Sequence, residues 1–556
     1  MVLNKFGGVS SFGQYLHDYM SCHELGRNDL HIHFCERIRR QKEDDSVSKR
    51  APVSTSRLDR KSNIHKLRLQ VLDWRWTFIY KGEQAAEEDR METQQEPCKL
   101  PRNRRRVILF PLPFQGHINP MLQLGSILYS EGFSITIIHT TLNSPNSCNY
   151  PHFEFCSFSD DGFSETYQPS KVADDIPALL LSLNAKCVVP FRDCLANKLM
   201  SNSQESKDSF ACLITDAAWF IAHSVANDFR LPTIVLLTDS IAASLSYAAF
   251  PILREKGYLP IQDFQLEAPV IEFPPLRVKD IPLLKTQDSN NADKFLSIRD
   301  NQIMASSGII WNSFEDLEQV ELTTVHQQYY LSIPVFPIGP FHKYFPAYSS
   351  SLLSQDQSSI SWLDRQAPRS VIYVSFGSIA AINEIEFLEI AWGLANSRVP
   401  FLWVVRPGLG RGAEWLEPLP KGFLEMVDGR GYIVKWAPQQ QVLAHPAVGC
   451  FWTHSGWNST MESICEGIPM ICQPYFADQM VNSRYVSHVW RVGLHLEGKL
   501  EREGIERAIR RVMVEADGQG MRERAMYLKE KVDICLQRGG SSYQSLGRLT
   551  DHILSL

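Results

Sequence analysis

The residues best suited to chemistry lie between Trp436 and Gln479, in short segments that follow predicted strands. Trp436 offers a flat aromatic face on which a nucleobase can stack. Gly456 marks a turn that opens a helix, and the free N–H groups and dipole of a helix start suit a diphosphate. Glu462, one turn further along, can accept hydrogen bonds from ribose hydroxyls. The spacing therefore indicates a nucleotide-sugar site, which also includes His454, Asn458, Ser459 and Asp478.

Two residues earlier in the chain form a candidate general base and its partner. His117 is predicted in the loop after the first strand and Asp216 at the end of a later strand, so both belong to one sheet edge. A histidine that is oriented and made more basic by a carboxylate can deprotonate a hydroxyl or carboxylic acid. One histidine among sixteen would ordinarily be structural, and we interpret His139 in that way because no motif surrounds it. The neighbouring Asn119-Pro120, together with the resemblance described below, favours the catalytic interpretation of His117.

Strands and helices alternate along most of the chain, and this alternation has to position the site residues. The run 107–110 predicts a buried strand, Asn119-Pro120 opens a helix, and 135–138 predicts the next strand. The same order recurs in both halves, so we expect an α/β protein with two doubly wound, Rossmann-like parallel-sheet domains that face a cleft. The other predicted strands are 210–214, 233–237, 371–374, 401–405, 432–434, 449–453 and 470–472, and helices are predicted at 216–228, 384–396 and 458–466.

Composition and charge exclude several classes of protein. The 556 residues include 44% hydrophobic and 21% charged residues, as globular proteins do, and the net charge of −6 provides no field for nucleic acid or anionic lipid. The charge is uneven, since the first 90 residues carry 16 Lys and Arg against 13 Asp and Glu. The twelve cysteines form no C-x-x-C pair, and neither a signal peptide nor an apolar run of about 18 residues occurs. We therefore expect a soluble, cytoplasmic protein with no nucleic-acid partner and no stable membrane insertion.

Other functions can be weighed against the same residues. The glycine pattern at 408–413 fits a dehydrogenase fingerprint, but two prolines follow within a few positions and prevent a long helix. A serine hydrolase would need a G-x-S-x-G turn, which the sequence lacks. A non-catalytic nucleotide-sugar binder would not need His117 with Asp216, so this pair favours an enzyme. Cysteines and histidines at 22–35 fit no standard zinc spacing, and we predict no metal site.

The segment from Trp436 to Gln479 resembles the 44-residue signature box of the plant secondary-product UDP-glycosyltransferases, which are family 1 glycosyltransferases. Three further motifs stand in that family's order, and the resemblance covers about 106–556. Shorter segments are similar to the plant 76 family, in particular to its branch that acts on small hydroxy acids. The three motifs are Pro113-Phe-Gln-Gly-His-Ile-Asn-Pro120, Ser375-Phe-Gly-Ser378 and Gly539-Gly-Ser-Ser542, and the finer similarity lies in 143–147, 183–187 and 387–393.

The resemblance implies a GT-B fold and an inverting, UDP-glucose-dependent glucosyltransferase that acts as a monomer without a cofactor or a metal. It makes His117 the general base and Asp216 its partner. Gln479 at the end of the box favours glucose over galactose. The implied donor contacts are Trp436 and Ala437 with uracil, Gln439 and Glu462 with the ribose, Ser378, His454, Asn458 and Ser459 around the Gly456 turn with the diphosphate, and Trp457, Asp478, Gln479 and Thr238 with the sugar.

Composition, together with the resemblance, assigns roles to the segments of the chain. Mixed-charge runs in the first ninety residues favour disorder, Met91 is the expected natural start, and a Pro- and Ser-rich stretch over 334–359 predicts an interdomain linker. The expected segments are a disordered extension 1–102, an acceptor-binding domain 103–345, a linker 346–370, a UDP-sugar-binding domain 371–538 and a C-terminal helix 539–556 that packs back on the first domain.

The resemblance favours a small hydroxy or carboxylic acid, such as a salicylate-like, 2-hydroxy or N-hydroxy acid, as the acceptor. Loops around 160–190 and 240–260 are expected to bind it, since variable loops on a rigid scaffold usually carry specificity. Flavonoids, cytokinins and terpenoids are alternative acceptors, and an NAD(P)-dependent oxidoreductase is the alternative activity.

Overall fold

The computed structural model describes residues 105–166, 172, 174–201, 210–282, 284–345, 351–410 and 415–556. The predicted N-terminal extension, its cysteine and histidine cluster and the expected start at Met91 lie outside these residues. Residues 411–413 of the glycine pattern also lie outside them.

The first domain is built on a sheet with seven strands in the described residues, each parallel to its neighbours. The strands are β1 (Arg106–Phe110), β2 (Ser134–Thr140), β3 (Glu154–Phe158), β4 (Phe210–Asp216), β5 (Thr233–Leu237), β6 (Ile309–Trp311) and β7 (Val335–Pro337). Their spatial order is β3-β2-β1-β4-β5-β6-β7, so the direction of winding reverses between β1 and β4. Such a reversal opens a crevice beyond the carboxyl ends of the strands.

The residues of β1 show why this sheet is covered on both faces. Val107 and Leu109 join the hydrophobic core on one face, whereas Ile108 and Phe110 join the core on the other. All four side chains are fully buried. Because side chains alternate along a strand, a continuous apolar run must be covered on both faces, as in a doubly wound sheet.

The second domain repeats this plan with a sheet of six strands in the described residues, again all parallel. The strands are β8 (Val371–Ser375), β9 (Phe401–Val404), β10 (Gly431–Val434), β11 (Val448–Thr453), β12 (Met470–Cys472) and β13 (Gly493–His495), in the order β10-β9-β8-β11-β12-β13. In β8, Val371 and Tyr373 pack on one face while Ile372 and Val374 pack on the other. The predicted fold class of two Rossmann-like parallel-sheet domains is therefore confirmed.

The α-helices connect these strands and cover both sheets. In the first domain they are α1 (Gln115–Ser130), α2 (Phe163–Thr166), α3 (Ile176–Ser201), α4 (Ile221–Asp228), α5 (Ile241–Ala248), α6 (Phe250–Glu255), α7 (Ser289–Ala305) and α8 (Gln319–Thr324). The later helices are α9 (Ser358–Leu363), α10 (Glu384–Ser397), α11 (Phe423–Val427), α12 (Gln439–Ala444), α13 (Trp457–Glu466), α14 (Gln479–Arg484), α15 (Arg502–Met513), α16 (Ala516–Leu536) and α17 (Ser541–Ser555).

Regular structure occupies both ends of the predicted linker. Val335–Pro337 is β7, at the edge of the first sheet. Proline is tolerated there because an edge strand has one side that makes no ladder hydrogen bonds. At the other end, α9 packs Trp362 and Leu363 into a core of the second domain. The linker prediction is therefore wrong at β7 for the stretch 334–359 and at α9 for the segment 346–370, since proline and serine content did not reveal these packed elements.

The last helix, α17, packs on the first sheet rather than on the second. Its Leu549 and Ile553 are fully buried in the same core as Val107 and Leu109 of β1. At its start, Ser542 Oγ donates to the carbonyl oxygen of Gly339 at 2.7 Å. The C-terminal residues thus complete the core of the first domain.

Candidate active site

A cavity of about 360 Å³ lies where the carboxyl ends of the two sheets meet. All of the predicted site residues line this cavity. Residues up to 362 positions apart in the chain are therefore brought to one site. His117, Asp216 and Thr238 come from the first domain. The others come from the second domain: Ser378, Trp436, Ala437, Gln439, His454, Gly456, Trp457, Asn458, Ser459, Glu462, Asp478 and Gln479. Their contacts with a donor or an acceptor stay predictions.

His117 and Asp216 form a close pair at the first-domain side of the cavity. His117 Nδ1 lies 2.7 Å from Asp216 Oδ2 and 3.0 Å from Thr238 Oγ1. The Asp216 side chain is only 2% exposed, whereas that of His117 is 31% exposed. Because Nδ1 faces the carboxylate and carries the proton, Nε2 is left as the basic ring nitrogen. This arrangement suits a general base.

The surroundings of His117 raise its pKa above the ordinary value of 6.5. Burial disfavours the charged imidazolium and lowers the pKa. The charge and hydrogen bond of Asp216, with smaller contributions from Asp478 and Asp239, act in the opposite direction and prevail. The pair thus stabilises the imidazolium that a proton transfer would create.

His117 lies in the first turn of α1, not in a loop as predicted. The helix begins at Gln115, so Asn119 does not cap it and Pro120 lies inside it. Proline has no N–H and cannot bond the carbonyl four residues back, which belongs to Gly116. In this structure that carbonyl accepts a hydrogen bond from Asn458 Nδ2 at 2.7 Å instead. The backbone beside the base is therefore held by the second domain.

The start of α13 forms the wall predicted to hold the diphosphate. The helix has ten residues, Gly456 is its N-cap, and its first turn contains no acidic residue. Unpaired N–H groups at such a helix start attract anions. A Cβ on Gly456 would overlap His454 Nε2, so only glycine lets the imidazole pack against this turn.

His454 contributes no positive charge to this wall. Burial and then the charge of Arg406 lower its pKa from 6.5 to about 4, so the ring is neutral near pH 7. Arg406 itself donates through Nε to the Gly377 carbonyl at 3.0 Å and through Nη2 to the Ala380 carbonyl. These bonds hold the loop that carries Ser378. Arg406 was missed, although its place just after β9 could have drawn attention to it.

The two residues predicted for the ribose, Gln439 and Glu462, are in contact with each other. Gln439 Nε2 donates to Ser459 Oγ at 2.9 Å and to Glu462 Oε2 at 2.7 Å. Gln440 Nε2 donates to the other oxygen of Glu462 at 2.8 Å. Burial raises the pKa of Glu462, while the two amide donors lower it and leave a net increase. Trp436 and the buried Ala437 lie beside this group on the cavity wall.

The side chains predicted to bind the sugar differ in which of their polar atoms are free to form further hydrogen bonds. Asp478 lies at the cavity, and burial followed by the like charge of Asp239 raises its pKa to about 7. The Oε1 atom of Gln479 accepts from the N–H groups of Tyr475 at 2.9 Å and Phe476 at 3.3 Å, which leaves its Nε2. The Trp457 indole is 2% exposed, and its N–H already donates to the Asn312 carbonyl at 2.9 Å.

The first-domain side of the cavity, where the acceptor is predicted to bind, is built mainly from helices rather than from loops. Part of it falls in the predicted ranges 160–190 and 240–260, but α7 also contributes and was missed. No sequence signal distinguished α7, because its side chains resemble those of any partly buried helix. Apart from His117 and its partners, this side is lined by Val172, Ile176, Leu179, Leu180, Tyr247, Leu284, Phe295 and Arg299.

Arg299 and Asp239 form a buried ion pair on that side. Arg299 Nη2 lies 2.9 Å from Asp239 Oδ2 and 3.1 Å from Ser244 Oγ. Its guanidinium also lies over the Tyr247 ring, 5.2 Å from the centroid. Among the described residues that line the cavity, Arg299 is the only arginine or lysine. Asp239 directly follows Thr238, so the rule that ligands lie at strand ends could have found it.

Residues outside the cavity agree with a plain structural interpretation. His139 is buried, with Nδ1 2.9 Å from the Thr140 carbonyl oxygen, and burial lowers its pKa.

The described parts of the chain contain no group of three or more His, Cys, Asp or Glu residues that could hold a metal ion. None of the helices in the described ranges has the length and apolar character that a membrane crossing requires.

Comparison with known proteins identifies the family. A family model described as UDP-glucoronosyl and UDP-glucosyl transferase matches residues 152–530. UDP-glycosyltransferase 76B1 of Arabidopsis thaliana is 52% identical over 449 residues, which cover 81% of this chain and 98% of that protein. The resemblance to the 76 family is thereby confirmed.

Solved structures agree with this assignment. Os79 from O. sativa in complex with UDP has a TM-score of 0.69 at 28% identity, over 80% of this chain and all of that one. Phytolacca americana UGT2, in complex with UDP-2fluoro-glucose and pterostilbene, has a TM-score of 0.68 at 25% identity, over 80% of this chain and 98% of that one. The chain therefore belongs to the plant family 1 UDP-glycosyltransferases and is a glycosyltransferase of GT-B fold.

Proposed function

We propose that this enzyme transfers glucose from UDP-glucose, with inversion at the anomeric carbon, to a hydroxyl or carboxyl group of a small hydroxy acid. The observation that carries the proposal is the His117–Asp216 pair at 2.7 Å in the same cavity as the signature box. A base on the first domain thereby faces the donor residues of the second. UDP-glucose is the co-substrate, and no cofactor or metal takes part in this proposal.

In the proposed step, His117 Nε2 accepts the proton of the acceptor hydroxyl or carboxyl group as its oxygen attacks the anomeric carbon. The new C–O bond forms on the face opposite the diphosphate, and the bond from the anomeric carbon to the diphosphate oxygen breaks. UDP leaves with that electron pair, and Asp216 stabilises the imidazolium. The helix start at Gly456 and the N–H and hydroxyl donors of Asn458 and Ser459 stabilise the growing negative charge on UDP.

The size of the cavity supports a small molecule as the acceptor. Cavities that hold one drug-sized ligand span about 300–1,000 Å³, and this cavity of about 360 Å³ must take both the donor and the acceptor. Little volume is left for a second large molecule. Apolar side chains of α3 and α7 form the far wall, where Arg299 is paired with Asp239. The complex of Phytolacca americana UGT2 with UDP-2fluoro-glucose supports glucose as the transferred sugar.

The remaining features of the proposal concern the state of the protein. The proposal includes a monomeric enzyme, in which a single chain supplies the residues of the site. All described cysteines are free, which supports a reducing, cytoplasmic compartment.

An acceptor panel tests the proposal. Purified enzyme is incubated with UDP-glucose and salicylate, a 2-hydroxy acid, an N-hydroxy acid, a flavonoid, a cytokinin and a terpenoid alcohol, and products are identified by mass spectrometry. We expect glucosides or glucose esters of the acids at the highest kcat/KM. Preferential transfer to the flavonoid would refute the acid assignment, and the absence of UDP release with every acceptor would refute glucosyl transfer. UDP-galactose serves as the donor control.

A further inference from the structure

We propose that Asn482 is a positioning residue for glucose transfer, which aligns Asp478 and the Ser455 turn with the acceptor domain. It lies three residues beyond the signature box and does not line the cavity. The inference rests on the proposed function, because it takes Asp478 as a contact of the transferred sugar.

Asn482 is 1% exposed and uses both of its amide hydrogens and its amide oxygen. Nδ2 donates to Asp478 Oδ2 at 2.8 Å and to the Ser455 carbonyl at 3.0 Å. Oδ1 accepts from Ser240 Oγ at 2.8 Å. One buried side chain therefore joins two segments of the UDP-sugar-binding domain, at Ser455 and Asp478, to the loop of the first domain that contains Ser240. We call these two segments the donor-side segments.

Both donor-side segments contain a residue with left-handed backbone. Ser455 has a φ of 64° and Ala477, directly before Asp478, has a φ of 57°. Residues other than glycine adopt this conformation at a cost, and they keep it only when their surroundings fix it. The side-chain amide of Asn482 stabilises both segments. One of its N–H groups donates to the Ser455 carbonyl, and the other donates to the side chain of Asp478, which follows Ala477.

The acceptor-side contact leads to the catalytic base. Ser240 Oγ accepts from the N–H of Ala243 at 3.1 Å, so the residue caps α5 while it donates to Asn482. Two residues earlier, Thr238 Oγ1 lies 3.0 Å from His117 Nδ1. The short loop between β5 and α5 thus holds His117 at one residue and Asn482 at another. Through this loop, the position of the sugar-side carboxylate is tied to the position of the base.

The chemistry of the site requires an amide at this position. A carboxylate of the same shape would present no hydrogens to Ser455 or Asp478, and its charge would repel the Asp478 carboxylate. An apolar side chain would leave the buried Ser240 hydroxyl and the Ser455 carbonyl without their partner, at a cost in stability. Asparagine supplies two donors and one acceptor in the required places.

The test compares Asn482→Asp and Ser240→Ala with the wild type, and Ser483→Ala, a buried neighbour on the same helix, is the control. Steady-state kinetics give kcat and KM for UDP-glucose, calorimetry gives the Kd of UDP, and thermal unfolding reports folding. We expect kcat/KM for UDP-glucose to fall by about 10²-fold in Asn482→Asp, the order of loss that a misplacement near 1 Å produces. The Kd of UDP, which has no sugar, should change far less.

Ser240→Ala keeps both bonds that Asn482 Nδ2 donates and removes its bond to the first domain, together with the cap that Ser240 Oγ provides for α5. We expect it to lower kcat at an unchanged Kd for UDP and an unchanged KM for UDP-glucose. Wild-type kcat/KM in both variants would overturn the inference, and so would parallel losses of UDP affinity and folding, which would indicate a merely structural residue. A wild-type enzyme that consumes no UDP-glucose would instead refute the proposed function, so the two failures are distinguishable.

Discussion

His117 is the residue on which the proposed chemistry depends, and opposing influences set its pKa. Burial lowers the pKa, whereas Asp216 at 2.7 Å raises it by charge and hydrogen bonding, and the net effect is an increase above 6.5. A general base must be neutral to accept a proton. Activity should therefore be present at high pH and be lost as the pH falls through the raised pKa of His117.

The pH dependence of kcat/KM gives the first prediction at the residue scale. We expect an acid limb above pH 6.5 in the wild type. In Asp216→Asn the largest influence that raises the pKa of His117 is lost, while burial still lowers this pKa. The acid limb should therefore move to lower pH, and the maximal rate should fall. Asp478 has a pKa of about 7 and also titrates in this range, so Asp478→Asn is the control. A limb that stays in place in Asp216→Asn would contradict the assignment.

Trp436 gives a second prediction, which concerns the base of the donor. Its ring lies on the cavity wall, and stacking of an aromatic ring on a base contributes about 1–3 kcal/mol. Trp436→Ala should therefore weaken UDP binding by about 5- to 150-fold, as measured by calorimetry. Trp392→Ala, at a partly buried tryptophan outside the cavity, should leave the Kd unchanged. Equal affinities in the wild type and Trp436→Ala would disprove a stacking role.

At the scale of elements, the start of α13 is the predicted binding site of the diphosphate. His454 is neutral, with a pKa of about 4, so the helix start and its side-chain donors must provide the attraction. The close approach of His454 to this turn depends on Gly456, where a Cβ would overlap the imidazole. The geometry at the start of α13 thus depends on the absence of a Cβ at residue 456.

Gly456→Ala should displace His454 and reduce UDP affinity strongly, while the affinity for uridine, which has no diphosphate, should fall less. Calorimetry with both ligands measures the difference. Gly547→Ala is a matched control, since a Cβ there meets nothing within 4 Å. If UDP bound Gly456→Ala as tightly as the wild type, the helix start would not be the diphosphate site.

The beginning of α1 shows where sequence patterns fail at this scale. Asn119-Pro120 looks like a helix start, yet α1 begins at Gln115 and contains Pro120. The carbonyl that Pro120 cannot bond is satisfied by Asn458 from the other domain. A local pattern cannot reveal such a distant partner, and this is why the strand and helix order was predictable while the place of His117 within a helix was not.

At the scale of the whole molecule, the last helix, α17, packs into the core of the first domain. Leu549 of α17 is fully buried in the core that includes β1. Leu549→Ala should destabilise the first domain by about 2–5 kcal/mol, as cavity-forming substitutions do. The expected result is a lower Tm in thermal unfolding, with little change for Tyr543→Ala, whose side chain is 48% exposed. An unchanged Tm in Leu549→Ala would show that α17 does not support the domain.

The sequence predicted the two-sheet architecture and the residues that the cavity collects, because strand ends and signature motifs are local features. It did not predict the contacts between residues that are far apart in the chain. Arg406 and Arg299 bind partners within their own domains, whereas Asn482 binds Ser240 of the other domain. Of these three residues, only Arg406 has a local marker, which is its place just after β9. The linker was misjudged for a related reason, since packing rather than composition decides that β7 and α9 are ordered.

The central claim is that His117 is the base for transfer of glucose from UDP-glucose. Single-turnover kinetics with UDP-glucose and the best acid acceptor, alongside calorimetry with UDP, test it in the wild type and in His117→Ala. We predict that the chemical step slows by about 10²- to 10⁴-fold in the variant, while the Kd of UDP stays near the wild-type value. A His117→Ala enzyme that transfers glucose at a rate near that of the wild type would contradict the claim.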